Sequence, residues 1–343
     1  MHCILRLFSF EPIRHTIRCV WIIFLRLSLK GNFINMEIKN ILICGAGMMG
    51  KNIAFVFASN PEYNIALYDM YNTDVYAGIR TNTKQLIEKG VMTEAELEDR
   101  LSRISFTTDI DSELISGADF IIEAVFEDMA IKQETFAKLE ARCRPDTIFC
   151  TNSSVMSPSQ ISEKMTYRER FVGTHFWNPA HLIPLVEVVK SDASSDETAN
   201  TVMEVLASVG KRPVLCKKDV PGFIANRMQH ALWREAISIV ENGIADAKTV
   251  DEAVRYSFGL RLPQLGPMEN ADMVGTDLTF NIHDYILKDL EDSHAPSPLL
   301  KELRDGGKIG FKTGEGFQTW TPEETAKSAA DLNEYLIRML YGK

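Results

Sequence analysis

Ile41-Leu42-Ile43-Cys44-Gly45-Ala46-Gly47-Met48-Met49-Gly50 is the stretch on which the fold turns. Four apolar residues run straight into three glycines spaced Gly-x-Gly-x-x-Gly, and the pattern beyond is helical to about Ser59. A short run apolar on both faces fits a strand covered by helices on both sides. The first glycine permits a tight turn, the second lets backbone approach a pyrophosphate, and the third lets the helix pack against the strand. The free amides at the helix N-terminus then face an anion. Asp69 ends the next short strand, Ile65–Tyr68, 24 residues after Gly45. A carboxylate there accepts hydrogen bonds from both ribose hydroxyls and repels a 2′-phosphate, so NAD is expected rather than NADP. Gly45, Gly47, Met48, Met49, Gly50 and Asp69 are the residues expected around it. The alternatives are a tight strand–helix turn without a ligand and a methyltransferase turn, the latter disfavoured by the third glycine.

Outward from this turn, strand-like and helical runs alternate. Phe120–Ile122 and Thr147–Cys150 read as further strands, and Phe171–Trp177 and Leu185–Lys190 flank an Asn-Pro turn. Arg212–Lys217 follows a helical stretch near Asp196–Gly210. Such alternation predicts an α/β, doubly wound parallel sheet. Residues 73–103 read as a protruding pair of helices turning near Gly90, the second opened by Thr93 with Glu94 and Glu96. From Pro221 the pattern is almost wholly helical, over Phe223–Asn242, Ala247–Tyr256, Met268–Leu290 and Pro298–Arg304. The expected division is therefore 36–218, a nucleotide-binding domain, and 219–343, a helical domain.

Composition narrows the function. The 343 residues are 45% apolar and 24% charged, with net charge −10, which is globular and acidic. An acidic surface is a poor grip for a phosphate backbone, so no nucleic acid is expected. No apolar run reaches the roughly 20 residues of a membrane span. The six cysteines show no paired spacing, so neither a disulfide framework nor a metal site is expected. Residues 1–35 differ from the rest: Arg6, Arg14, Arg18, Arg26 and Lys30 stand against Glu11 alone. They read as an extension upstream of a start at Met36, or as an organellar presequence. The expected location is cytoplasmic, or the mitochondrial matrix if they are a presequence.

Oxidising an alcohol with a nicotinamide needs a general base, and histidine is the usual one. His175 lies near the C-terminal end of its strand, the edge at which open α/β sheets bind ligands. His181 is its competitor. Glu187 is a lone acid in Leu185-Val186-Glu187-Val188-Val189. If that strand folds back on the previous one, Glu187 reaches His175 and fixes its tautomer as in a triad; otherwise it is an ordinary edge-strand glutamate. Asn152-Ser153-Ser154 closes another strand at the same edge, able to hold a substrate hydroxyl or the nicotinamide amide, or to form an Asx turn. Asn226 faces back from the first turn of the helical region, as a ligand to the substrate or as a helix cap.

Taken in order, these motifs, with Pro221–Arg227 and Gly314-Glu315-Gly316-Phe317, resemble the L-3-hydroxyacyl-CoA dehydrogenase family over nearly all of residues 36–320. The resemblance implies a Rossmann-type domain binding NAD, a helical C-terminal domain that forms a homodimer, and oxidation of a 3-hydroxyacyl-CoA such as 3-hydroxybutyryl-CoA, as in fatty acid β-oxidation. It implies His175 as general base, Glu187 as its acid partner, and Ser154 and Asn226 as substrate ligands. It places Asp69 at the adenosine ribose, Glu127 and Lys132 near the cofactor, and Lys89 at the CoA phosphates; Asn152, from its place at the strand end, is expected at the cofactor as well. The departures concern the substrate. Pro184 stands where acyl-CoA members usually have lysine, Trp177 where phenylalanine is commoner, and Arg261 lies in Gly259–Pro267. That arginine is more similar to the branches acting on free hydroxy acids such as carnitine or gulonate, where a guanidinium grips a carboxylate through two parallel bonds.

Overall fold

The computed structural model describes residues 37–342. Residues 1–35, read above as an extension or a presequence, lie outside the described residues. The described chain from Ile38 onward is one compact unit. It starts as the glycine motif requires: β1 (Asn40–Cys44), α1 (Met48–Phe57) and β2 (Asn64–Tyr68). The protruding pair follows as α2 (Val75–Glu88) and α3 (Glu94–Ser102), the latter begun by a capping box in which Thr93 and Glu96 each satisfy the other's backbone amide. Next come β3 (Ile104–Thr107), α4 (Glu113–Ser116), β4 (Phe120–Glu123), α5 (Met129–Glu140), β5 (Ile148–Thr151) and α6 (Pro158–Ile161). The sheet ends with β6 (Phe171–Phe176), β7 (Leu185–Lys190), α7 (Asp196–Ser208) and β8 (Arg212–Cys216).

The eight strands lie in the order β3-β2-β1-β4-β5-β6-β7-β8. From β3 to β6 all pairs are parallel; β7 runs antiparallel to β6, and β8 parallel to β7. The strand order reverses between β1 and β4, and the crevice beyond their carboxyl ends is where such sheets take ligands. Leu42, Ile121 and Phe149 on adjacent strands are at most 1% exposed and pack with Phe136 of α5 and Phe171. The Phe136 and Phe171 rings meet edge to face, centroids 4.8 Å apart. Each such side chain contributes about 1.5–3 kcal/mol by leaving water.

Beyond β8 the chain is helical: α8 (Ala225–Glu241), α9 (Ala247–Arg255), α10 (Pro267–Val274), α11 (Thr276–Ile286), α12 (Pro298–Asp305) and α13 (Pro322–Tyr341). The stretch Met268–Leu290, expected as one helix, is two. Gly275, at φ +103°, ends α10 and starts α11, a conformation that a continuous helix cannot contain. Strand β3, absent from the sequence reading, is a four-residue edge strand with a single buried residue, too short for a periodic signal. No helix among the described residues is long and apolar enough to cross a membrane.

The glycine turn is sterically closed. Gly45 sits at φ +107°, and a Cβ there would stand 2.6 Å from the Ala124 carbonyl oxygen. A Cβ on Gly50 would stand 1.8 Å from the oxygen of Gly45. At Gly47 an added Cβ meets nothing within 4 Å, so the turn is open on the face where a phosphate would lie. Gly50→Ala is therefore expected to lower stability by about 1–3 kcal/mol in urea unfolding and to weaken NADH binding. Unchanged unfolding and an unchanged NADH affinity would contradict this packing.

Candidate active site

The antiparallel pairing of β6 and β7 sets His175 directly opposite Glu187, and residues so opposed share one face of the sheet. The His175 Nδ1 lies 2.9 Å from Glu187 Oε2, with His175 4% and Glu187 0% exposed. Trp177 Nε1 donates to the same oxygen at 3.3 Å. The other oxygen, Oε1, accepts the amides of Ile224 and Ala225, each at 2.9 Å, at the start of α8. Burial opposes ionisation of Glu187, but the His175 hydrogen bond and these two amides outweigh it and hold the carboxyl below its usual range. An ionised Glu187 only accepts, so Nδ1 carries the hydrogen and Nε2 is the ring nitrogen left for chemistry. Phe223 packs its ring 5.8 Å from that of His175 and holds φ at +52°. A bulky residue there is strained, by roughly 1–3 kcal/mol. The strained turn brings the two amides onto Glu187.

Asn152 supports the same strand end: its Oδ1 accepts the Phe176 amide at 3.0 Å. Asn226 is buried and its Nδ2 donates to the Ser154 carbonyl at 3.1 Å, while the Ser154 side chain is exposed. The structure thus brings Ser154 and Asn226 together.

At the carboxyl ends of β1, β2 and β4, Asp69 accepts the amides of Ala46 at 2.8 Å and Tyr71 at 3.0 Å, which fixes its carboxylate beside the glycine turn. Met48, Met70, Tyr71 and Phe126 are exposed around this edge, apolar surface that suits a nucleotide base. Glu127, exposed, and Lys132, buried, form an ion cluster with the buried Glu123, a residue whose part in it the sequence does not announce. Lys132, 1% exposed, bonds Glu123 at 2.7 Å and Glu127 at 3.1 Å. Glu123, 0% exposed, also accepts the Thr151 hydroxyl at 2.6 Å and the Val125 amide at 2.7 Å. Burial pushes the Glu123 carboxyl up, against the pull of Lys132, Thr151 and Val125. Glu127 accepts the Ser153 hydroxyl and the Ser154 amide. Burial opposes its ionisation too, but Ser153 and then Lys132 hold its carboxyl below the usual range.

Other sequence candidates lie elsewhere. His181 is no rival base: burial, then the charge of Lys211, push it down to about 4, and its Nδ1 is buried without a hydrogen-bond partner. His230, His283 and His294 are exposed. Lys89 is ion-paired with Glu334 of α13 at 2.7 Å. Arg261 is exposed, just after a short 3-10 turn (Phe258–Leu260), and its side chain makes no ion pair among the described residues. Among the described residues neither Lys89 nor Arg261 hydrogen-bonds to His175, Ser154 or Asn226.

Two measurements follow from the buried charges. Lys132→Met leaves Glu123 and Glu127 without their shared cation and is expected to cost about 3–5 kcal/mol in urea unfolding; a loss below about 1 kcal/mol would mean the cluster is not holding this edge. Because the folded Glu187 carboxyl titrates below its unfolded value, its stabilisation is complete above the ordinary glutamate value and is lost as pH falls through the folded one. Wild type and Glu187→Gln should therefore converge in stability on acidification and separate toward neutrality. A gap that does not change with pH would contradict an ionised Glu187.

Comparison with known proteins fits this geometry. Residues 40–220 match the family model for the 3-hydroxyacyl-CoA dehydrogenase NAD binding domain, and residues 222–320 match the C-terminal domain of the same family. A probable 3-hydroxybutyryl-CoA dehydrogenase of Bacillus subtilis is 36% identical over 286 residues, 82% of this chain and 97% of the relative. The 5-formyl-3-hydroxy-2-methylpyridine 4-carboxylate 5-dehydrogenase of Mesorhizobium japonicum is 31% identical over 312 residues, 89% of this chain and 99% of the relative. A crystal structure of a 5-formyl-3-hydroxy-2-methylpyridine 4-carboxylic acid 5-dehydrogenase, an NAD+-dependent dismutase, superposes with a TM-score of 0.81 at 31% identity, covering 90% of this chain and all of that one. The chain is an NAD-dependent oxidoreductase acting on CH–OH groups, and it belongs to the 3-hydroxyacyl-CoA dehydrogenase family.

Proposed function

We propose that the His175–Glu187 pair carries proton transfer in the oxidation of a 3-hydroxy acid presented as a free carboxylate. The observation that carries the proton step is the ionised, fully buried Glu187 held 2.9 Å from His175 Nδ1. His175 Nε2 takes the hydroxyl proton, and the resulting imidazolium is stabilised by Glu187. Ser154 and Asn226, joined by their 3.1 Å hydrogen bond, orient the reacting oxygen. NAD, when bound, supplies the hydride acceptor; the Gly45–Gly50 turn, Asp69, Glu127 and Asn152 would hold and orient it, with the buried Lys132 fixing Glu127. In the reverse direction the protonated imidazole polarises the keto oxygen and returns the proton.

Three features favour a free acid. Lys89, which the family resemblance puts at the CoA phosphates, is ion-paired with Glu334. Pro184 stands where acyl-CoA members usually have lysine. The Arg261 guanidinium has no carboxylate partner among the described residues. The second reading is a 3-hydroxyacyl-CoA substrate, favoured by the family and by the Bacillus relative.

We read the chain as a nucleotide-binding domain over 36–218 and a helical one over 219–343, with the latter forming a homodimer. Among residues 219–342 only Phe223, Asn226 and Ile337 are buried, whereas Trp233, Tyr256, Met268, Phe280 and Tyr285 are at least half exposed. Helices this apolar need a covering surface. A second copy of the chain would supply one, and it would cover the face on which the exposed Arg261 lies.

Reduction of NAD followed at 340 nm with 3-hydroxybutyrate, carnitine, gulonate and 3-hydroxybutyryl-CoA side by side tests the substrate. Turnover of a free acid is expected, with KM raised roughly 10–100-fold by Arg261→Met and unaffected by Lys89→Ala. Turnover of the thioester alone, weakened by Lys89→Ala, would overturn the free-acid reading. On either substrate His175→Ala should lower kcat by about 10²–10⁴.

A further inference from the structure

Lys211, just before β8, is 8% exposed, and no carboxylate lies within ion-pair distance of it among the described residues. A buried ammonium without a counterion is costly unless its hydrogens are taken up. Here they are: Nζ donates to the carbonyl of Ala180 and to that of Ile183, the latter at 2.8 Å. Both carbonyls belong to residues 177–184, the connection that returns β6 to β7. That connection folds as a single turn in which the amides of Leu182 and Ile183 both bond the Pro179 carbonyl. Backbone bonds fix Lys211 in turn: its own amide donates to Leu206, and the Arg212 amide donates to Pro184 at 2.9 Å. The connection begins at Trp177, which bonds Glu187 Oε2.

We propose that Lys211 is a positioning residue for the proton-transfer pair. Its ammonium closes the β6–β7 connection onto β8 and so fixes Trp177 and the alignment of His175 with Glu187. The charged form is needed at only modest cost, since burial lowers Lys211 to about 8 and leaves it largely protonated at neutral pH. His181, the titratable group nearest it on the connection, stays neutral and adds no competing charge. The clasp lies away from the glycine turn and the Glu123–Lys132 cluster, so cofactor affinity should not depend on it.

The role in turnover rests on the proposed function of His175, so the test has one readout that depends on turnover and one that does not. Lys211→Met keeps the stem and removes the donors. In the full chain it should lower kcat at least about tenfold with KM for NAD within about twofold. It should also shift the emission of Trp177, isolated by subtracting the spectrum of Trp177→Phe. If the clasp acts through Trp177, the kcat losses of Lys211→Met and Trp177→Phe will not add. A folded Lys211→Met with wild-type kcat and unchanged Trp177 emission overturns the proposal. If wild type turns over none of the substrates offered, the emission shift alone decides. If Lys211→Met does not fold, amide exchange in the wild-type protein decides instead. Protection of Leu182 and Ile183 matching that of β6 supports the clasp, and exchange at exposed-loop rates overturns it.

Discussion

The active-site side of this molecule depends on a single carboxylate that water does not reach. Glu187 has no exposed surface, and its two oxygens serve three elements: His175 on β6, Trp177 on the connection, and the first amides of the helical region. A buried charge is tolerated only when it is fully bonded, and here each bond also fixes a piece of the site. The imidazole bond sets the tautomer, the indole bond sets the end of β6, and the amide bonds seat α8, which brings Asn226 to Ser154. Removing the carboxylate would therefore disturb the His175 tautomer, the contact of Asn226 with Ser154 and the joint between sheet and helices together.

The cofactor edge follows the same logic with a different set of charges. Lys132 is shared by Glu123 and Glu127, and Glu127 in turn holds Ser153 and the Ser154 amide. The cluster runs from the switch point of the sheet to the loop that presents Ser154. Among the described residues Phe223 is the one non-glycine residue at positive φ, and its left-handed turn aims two amides at Glu187. Strain of that kind persists only where the surroundings over-determine it, and the buried Phe223 ring beside His175 supplies that constraint.

Much of this was legible because the signals are local. The Gly45–Gly50 spacing, the acid at Asp69 and the placement of His175 and Glu187 on successive strands need only strand geometry to be read. The antiparallel return that makes His175 face Glu187 was a conditional expectation, and the register meets the condition. Glu123 and Lys211 were not legible: one is a strand-end glutamate and the other a lysine before a strand, and only the fold supplies their partners. The pairing of Lys89 with Glu334 spans 245 positions of sequence and leaves no local trace. Strand β3 escaped for want of length, and the break at Gly275 was hidden because apolar periodicity continues across it. The helical region reads as helix from periodicity, but its lack of a buried core could not be read the same way, since periodicity marks an apolar face without saying what covers it.

Glu187 accepts from His175 Nδ1, so the neutral ring is the Nδ1–H tautomer and Nε2 is the nitrogen left free to take a proton. Nitrogen-15 NMR of the imidazole, at a pH where the ring is neutral, reads this directly. A protonated Nδ1 and an unprotonated Nε2 are expected in the wild type, with that preference lost in Glu187→Gln. A neutral His175 carrying its hydrogen on Nε2 would contradict it, because the ring nitrogen assigned to accept the proton would already be occupied.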